Sequence, residues 1–225
     1  RTGLTGDGNP ALVVYATNVN IVTLSTDSNP ADASKDSPTT DTTNSDTGAG
    51  GQVSGNYCIL NRFKKSDSIQ SLSDGNLKIK GNVDNDQTWG TIAVSSGKWY
   101  FESKITVYSG SQEDGLVGVS EVYNTNFQEY VGKSAYSYGI SVADYHTYMK
   151  KYNNNNPVDT NLTSPTEGDI IGVALDLDNG KIYWSKNGTW QNSGDPTSGS
   201  TGTGSAFNIT TGYTYFPVMA QYYGN

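Results

Sequence analysis

The chain has 225 residues and a mass of 24.1 kDa, enough for one large β domain or two small domains. Only 34% of the residues are hydrophobic and 16% are charged, while 26 are Gly and 16 are Tyr. This composition favours strands and turns. No stretch sustains the 3.6-residue period of Ala, Leu, Glu and Lys that a helical bundle needs, so that class is excluded.

Charge and cysteine content exclude further classes. The net charge of −8 and the pI near 4.5 argue against nucleic acid and anionic lipid as partners, because both are bound through clustered Lys and Arg. No run reaches the roughly 18 apolar residues of a membrane span, so no membrane insertion is expected. The single cysteine, Cys58, excludes an intrachain disulfide and a multi-thiolate metal site.

The first 56 residues differ in composition from the rest. Residues 11–24 alternate at Val19, Ile21 and Thr23, which predicts one or two short strands. The Ser-, Thr-, Asp- and Gly-rich stretch that follows predicts an extended linker, a better interpretation of its spaced Asp residues than a calcium repeat. We therefore predict an N-terminal arm, residues 1–56, and a β domain, residues 57–225. Because the chain opens with Arg1, we expect it to be processed or part of a longer protein.

From residue 57 onward, short strand patterns alternate with turn signals. Strands without intervening helical segments predict antiparallel sheets rather than βαβ units. The predicted strands lie in residues 76–81, 90–109 (two strands around a break at 95–97), 115–121, 136–143, 147–152, 168–178, 180–186 and 215–223.

Two Asn-Gly pairs indicate tight hairpins in the second half of the domain. Asn179-Gly180 and Asn187-Gly188 both suit the positive φ angles of a type I′ turn. We predict a hairpin from residues 170–177 and 181–186, closed at the first pair.

Five sequence segments, in a fixed order along the chain, resemble those of a known family. They are "SSGKWYFESKI" (95–105), "VGVS" (117–120), "YGIS" (138–141), "GDIIGVALDLDNGKIYWSKNGTW" (168–190) and "YFPVMA" (215–220). Together, over roughly residues 90–223, they resemble the SPRY domain. The resemblance implies an all-β fold: a bent, antiparallel two-sheet β-sandwich of the concanavalin A-like jelly-roll type.

A second resemblance lies upstream, in residues 46–81, where "NYCILN" is followed by "LSDGNL". This stretch is similar to the lead-in of SPRY-like domains in tail and fibre proteins of marine bacteriophages. It implies a virion or extracellular location and neighbouring virion subunits as partners. Members of that group continue past "YFPVMAQYYGN" into another strand. We therefore expect either that the sequence is cut short, which leaves a sheet edge open there, or that another segment completes that edge.

Aromatic residues and one glycine are assigned to packing. Trp99 and Trp184 are expected in the core, because a sandwich poor in aliphatic residues needs aromatic rings for its buried area. Gly172, inside a strand, predicts a close approach by a bulky neighbour or a bend of the sheet.

Candidate catalytic groups do not form a set. Asp176 and Asp178 would share one face of a strand, in range of a glycosidase pair. Turn chemistry, with Asp178 bonding local backbone N–H groups, is the better interpretation. A lone histidine and a lone cysteine supply neither a triad nor a zinc site. We predict no catalytic residues, no metal and no cofactor.

A tyrosine- and asparagine-rich stretch indicates a binding surface. Rings with polar tips beside amides resemble antibody paratopes and carbohydrate sites, although half or more of these tyrosines are expected to be ordinary strand residues. Loops 145–156 and 191–205 are the predicted locations. The predicted ligand-binding residues are Tyr145, His146, Tyr148, Tyr152, Asn153, Asn154 and Trp190.

Three functions remain open at this point. The first is a non-enzymatic virion surface or fibre protein, oligomeric, that binds a host glycan or receptor or decorates the particle. The second is a structural subunit that polymerises by strand exchange through residues 11–24. The third, ranked last, is a glycan-cleaving enzyme of concanavalin A-like fold.

Overall fold

The computed structural model describes residues 58–66, 71–80, 86–106, 115–121, 129–142 and 147–221. The predicted arm (residues 1–56), and with it the proposed boundary at residue 57, lies outside them, as do Tyr145 and His146. Residues 60–225 form one compact unit. No helix in the described part is long and apolar enough to cross a membrane.

Strands dominate the described residues, and the helical content is two short 3₁₀ turns, Gln191–Ser193 and Gly199–Thr201. The strands are β1 (Leu60–Lys65), β2 (Ser71–Ser73), β3 (Lys78–Lys80), β4 (Asp86–Gly90), β5 (Lys98–Lys104), β6 (Gly115–Glu121), β7 (Ser137–Ser141), β8 (Tyr148–Asn153), β9 (Asn156–Thr163), β10 (Ile170–Asp176), β11 (Lys181–Lys186), β12 (Thr189–Trp190), β13 (Phe207–Asn208) and β14 (Tyr215–Gln221).

These strands form two main antiparallel sheets. The larger has the order β1-β4-β14-β6-β7-β8-β9, and the smaller has the order β12-β11-β10-β5, with β13 also paired to β11. A separate hairpin joins β2 and β3. The predicted antiparallel, two-sheet β-sandwich is confirmed.

The core lies between the two sheets. Val117 and Val119 of β6 pack in one buried cluster with Val173 of β10 and Trp184 of β11, whereas Leu116 of β6 belongs to a second cluster around Trp89. Alternate residues of a strand point to opposite faces. The larger sheet is therefore covered on both faces at β6, which explains why residues 116, 117 and 119 of this strand are all apolar although they point to opposite faces.

The predicted hairpin of residues 170–186 is confirmed, but its turn is not type I′. Asp176 pairs with Lys181, so four residues form the loop, and positive φ is found at Gly180 but not at Asn179. The Asn187-Gly188 pair does fit the prediction. Both residues have positive φ, 48° and 78°, and they connect Lys186 directly to Thr189.

Two other expectations about strands are wrong. β14 is paired on both sides, by β4 and β6, so it does not border an open edge; the outer strands of the two sheets are β1, β9, β5 and β12. The segment just before residue 95 contributes an isolated bridge, Val94 to Tyr215, rather than a strand. β9 was not predicted, because its sequence, NPVDTNLT, contains Pro and few apolar residues.

The prediction for Gly172 is confirmed as a close approach. A Cβ at this position would lie 2.5 Å from Ser185 Oγ and 2.7 Å from the Tyr100 hydroxyl. Glycine therefore lets the Tyr100 side chain cross the outer face of β10.

A candidate ligand-binding groove

An open groove of about 520 Å³ lies at the edge of the smaller sheet. Three consecutive residues of β5 contribute to it, its floor is formed by β10, and its opposite wall follows β12. The lining residues are Lys98, Trp99, Tyr100, Ala174, Leu175, Trp190, Gly194, Asp195, Pro196 and Thr197. This volume is in the range typical of small-ligand clefts.

The groove exposes aromatic rings, one of which, that of Trp99, the sequence analysis assigned to the core. Trp99 is 47% exposed and Tyr100 is 54% exposed, so the prediction that Trp99 packs in the core is wrong, whereas Trp184 is fully buried there as predicted. Among the described residues, the strand of Trp99 pairs with β10 alone. The indole Nε1–H of Trp99 donates to the Ser96 carbonyl at 2.7 Å. Alternation along the strand assigned it to the inner face, but that face ends at the sheet edge.

Trp190 is held between two tyrosines across the smaller sheet. Its ring lies 6.3 Å from that of Tyr100 and 6.4 Å from that of Tyr183, both edge to face. This geometry is possible because Ala174, the residue opposite Tyr100 on β10, is small. The rings of β5 and β12 therefore meet over a shallow floor, which a ligand ring or aliphatic chain can cover.

Charged groups at the groove are held by hydrogen bonds. The Lys98 ammonium donates to Asp176, which is 2% exposed. Asp195 accepts from the side chain and the backbone N–H of Thr197, and these bonds lower the pKa of Asp195. The two groups present one cation and one carboxylate beside the apolar lining.

Tyr100 is a fixed hydrogen-bond donor at the same site. Its hydroxyl donates to Glu102 at 2.7 Å. Burial, together with the neighbouring Glu102 carboxylate, raises the pKa of Tyr100 to about 12. The phenol therefore stays protonated at physiological pH.

The loop after Trp190 forms one wall of the groove and is closed by its own hydrogen bonds. Asp195 N–H donates to the Thr203 carbonyl at 2.9 Å, and Thr203 N–H donates to Ser198 Oγ at 2.9 Å. Asn192 N–H donates to Asn161 Oδ1 on β9, also at 2.9 Å. These bonds connect the groove wall to the edge of the larger sheet.

Tyr148, Tyr152, Asn153 and Asn154, the other members of the predicted set that the structure describes, lie on that larger sheet or in the turn of its β8–β9 hairpin. Asn153 Nδ2 donates to the Ala135 carbonyl at 2.9 Å and to the Ser137 carbonyl at 3.0 Å. Asn154 and Asn155 have φ of 51° and 59°, the left-handed conformation that a two-residue hairpin turn requires. Turn geometry therefore accounts for the asparagine run, and ligand binding there stays a prediction.

The tyrosines of this region divide by burial. Tyr138 is in the core at 2% exposed, whereas Tyr148 is 44% exposed at the start of β8. Tyr152 packs edge to face on Tyr130, with ring centroids 5.7 Å apart. Trp190, of the predicted set, lines the groove; Tyr148, Tyr152, Asn153 and Asn154 are on β8 or its turn and do not.

The two aspartates considered as a catalytic pair each accept hydrogen bonds that stabilise the fold. Asp178 lies beyond the end of β10, and its carboxylate accepts from the Gly97 backbone N–H at 2.7 Å. Asp176 accepts from Lys98 and from Asn179 N–H, the latter at 3.0 Å. Asp176, rather than Asp178 as predicted, thus makes the local turn bond. Among the described residues, no cluster of three or more His, Cys, Asp or Glu could hold a metal ion.

Comparison with known proteins agrees with this architecture. A model of the SPRY domain family matches residues 98–225, more than half of the chain. The chain belongs to the SPRY domain family. SPRY domains are protein–protein interaction modules and are typically non-enzymatic.

Two solved structures share the fold. The SPRY domain of human HERC1 superposes with a TM-score of 0.54 at 19% identity, covering 74% of this chain and 91% of that one. The PSpry domain of TRIM65 gives a TM-score of 0.55 at 14% identity, covering 74% and 85%. At these identities the likeness concerns the fold alone.

Sequence reasoning missed most of the groove. It identified Trp190 and the loop after it, but not Lys98, Trp99 and Tyr100 as neighbours of that loop. The available signal was the pair of adjacent aromatic residues in KWYFESK: two consecutive rings on one strand cannot both face a single core.

Proposed function

We propose that this chain is a non-enzymatic virion surface or fibre protein whose SPRY domain attaches to a protein or glycan on the host surface. The observation that carries the binding role is the groove of Trp99, Tyr100 and Trp190. Exposed aromatic rings beside a shallow apolar floor are a costly surface to leave in water, and they are the groups that dominate binding energy in interfaces and sugar sites.

The virion context of this proposal is supported by the sequence. Residues 46–81 resemble the lead-in of bacteriophage tail and fibre proteins, and the chain is acidic with a single cysteine. A rigid sandwich that displays loops and a groove suits recognition outside a cell.

The test is a binding measurement with matched variants. Purified chain is applied to arrays of bacterial surface glycans and of outer-membrane protein peptides. The double variant Trp99→Ala/Tyr100→Ala removes the rings of β5 and is expected to weaken binding at least about 100-fold, since such anchors contribute about 2 kcal/mol or more each. Tyr148→Ala is the control, because this residue is a similarly exposed tyrosine on the other sheet.

The control also separates the two predicted surfaces. If Tyr148→Ala abolishes binding and the groove double variant does not, the ligand binds at β8 and the groove assignment is wrong. If both variants adsorb to host cells as the unsubstituted chain does, the attachment role is refuted.

A structural role is the second candidate. Residues 11–24 could add as a strand to an outer strand of a neighbouring copy, and the side of β5 that no described strand occupies provides such an edge. Sedimentation of the chain with and without residues 1–56 tests this. A monomer in both cases would end the strand-exchange idea.

A further inference from the structure

One side of β5 carries hydrogen-bonding groups that no strand of the described part uses. β5 pairs with β10 in an unbroken register from Lys98–Asp176 to Lys104–Ile170, and β5 is last in its sheet. Such an edge is a template for pairing with another chain unless it is blocked.

The backbone bonds at its two ends show which residues face that edge. Leu177 N–H donates to the Gly97 carbonyl, and Ile105 N–H donates to the Asp169 carbonyl, both at 2.9 Å. Gly97 and Ile105 thus bond toward β10, and in an antiparallel ladder this direction alternates from residue to residue. Lys98, Tyr100, Glu102 and Lys104 therefore point their N–H and C=O groups away from the sheet.

Two registers of this edge put opposite charges directly opposite each other. Ser103 on the axis pairs Glu102 with Lys104 but overlaps only residues 102–104 of β5, whereas Tyr100 on the axis overlaps residues 98–102. We infer that two copies of the chain pair through β5, antiparallel, with Tyr100 opposite Tyr100 across a two-fold axis. Lys98 of each copy then lies opposite Glu102 of the other, which gives two cross-strand pairs of opposite charge. The occupant of the edge is thus a second copy of this chain.

Two neighbouring registers place like charges directly opposite each other and are therefore disfavoured. Placing Phe101 on the axis brings Lys98 opposite Lys104 twice, and placing Glu102 on the axis brings two carboxylates together. Like charges directly opposite each other destabilise a strand pair. The register with Trp99 on the axis opposes no like charges but puts Lys98 opposite Tyr100 and Glu102 opposite Ser96, so it lacks both Lys98–Glu102 pairs. The register with Tyr100 on the axis is therefore the favoured one.

The aromatic residues agree with this register on both faces of the sheet. Trp99, half exposed, lies opposite Phe101 of the second copy on the inner face. The Tyr100 side chain of each copy stays on the outer face of its own sheet, so the grooves of the two copies lie next to each other. The apolar surface left at the edge in the single chain is covered in the pair.

This pairing goes beyond the proposed function, because it requires no ligand. Residues 98–102 of each copy form a short contact, so we expect a weak dimer, detectable at about micromolar to millimolar protein. Cross-linking is therefore the direct test, and its result is independent of binding to glycan or peptide arrays.

The cross-linking experiment uses the full chain with Cys58→Ser as background, so that the introduced cysteine is the single thiol. Tyr100→Cys places two cysteines opposite each other, with Cα atoms about 5.5 Å apart, within disulfide range. Glu102→Cys is the matched control on the same edge, where the two cysteines would be about 14 Å apart. Under mild oxidation, Tyr100→Cys is expected to form disulfide dimers at least about tenfold faster.

Sedimentation of chains without new cysteines provides a second measurement. Glu102→Lys turns both Lys–Glu pairs into Lys–Lys pairs and is expected to weaken the dimer about tenfold or more. Lys104→Glu, whose position lies directly opposite Ser96 rather than a charged residue in this register, is not expected to weaken it. Faster cross-linking at Glu102→Cys, equal rates at both positions, or a monomer at millimolar concentration would each overturn the inference.

Discussion

Two glycines in the sheets should respond very differently to the same added methyl group. A Cβ on Gly118 of β6 would lie 1.9 Å from the Tyr138 carbonyl oxygen and 2.8 Å from the Gly139 Cα. Both atoms are backbone of β7, the neighbouring strand. A Cβ on Gly172 would instead meet the ends of two side chains, at 2.5 and 2.7 Å, which can rotate aside.

The free energies of unfolding can be worked out from these contacts. Gly118→Ala has to separate β6 from β7 by more than 1 Å, which breaks ladder hydrogen bonds at about 0.5–1.5 kcal/mol each and adds about 1–3 kcal/mol of overpacking. Because alanine lowers the conformational entropy of the unfolded chain, the substitution also adds about 0.4–1 kcal/mol to the free energy of unfolding. We expect a net loss of about 3 kcal/mol, against about 0–1 kcal/mol for Gly172→Ala.

Urea unfolding of the two variants and the unsubstituted chain measures this difference, with equal m-values as the check that one transition is compared. Gly172→Ala serves as the control for the change from Gly to Ala in a strand. If the free energies of unfolding of the two variants differ by less than about 1 kcal/mol, the close approach of β6 and β7 is not the reason for glycine at position 118.

The remaining predictions concern the bonds that hold the smaller sheet. Burial disfavours the Asp169 carboxylate, but hydrogen bonds from Asn187, Thr166 and Lys186 outweigh it and lower the pKa of Asp169 to about 2. Its contribution to stability is therefore present above pH 4 and lost as the pH falls toward 2. Urea titrations should show Asp169→Asn losing about 1–2 kcal/mol at pH 7, after allowance for screening by solvent, and nothing near pH 2; an equal loss at both pH values would contradict this. Asn187→Ala should cost about 1–2 kcal/mol more than Asn187→Gly by thermal unfolding, because Asn187 has a φ of 48° that alanine resists and glycine accepts; equal melting temperatures would refute it. Asp176→Asn, which a glycosidase mechanism would make inactive, should instead lower stability by about 2 kcal/mol through the lost ion pair with Lys98, and an unchanged unfolding midpoint would count against that structural role.

The groove and the β5 edge together give this SPRY domain two surfaces with different chemistry. The groove offers aromatic side chains to a ligand, and the edge offers backbone groups to a second strand. Tyr100 belongs to both, since its ring lines the groove and its N–H and C=O face the edge. A dimer formed through β5 would therefore present two grooves side by side, which increases avidity for a repeated surface ligand.

Local sequence patterns were sufficient to predict many of the strands in the sandwich. The run from Gly168 to Trp190 specified the two strands of a hairpin, though not the turn at Asn179-Gly180 that joins them. Asn187-Gly188 specified a type I′ turn, because periodicity and turn conformation depend on neighbours in the chain. The order of the five sequence segments along the chain predicted the SPRY family. The same signals failed at β9, whose polar, proline-containing strand has no pattern of its own and is formed by pairing with β8.

Tertiary structure decided which of these strands have an open side, and with it the candidate site. The alternation that assigned Trp99 to the core could not show that β5 ends its sheet, and the chain order that put β14 last could not show that it is paired on both sides. Lys98, Ala174 and Trp190 lie far apart in sequence and meet because β5, β10 and β12 share a sheet. Strand order depends on contacts between distant segments, so a groove built across strands becomes visible in the folded chain alone.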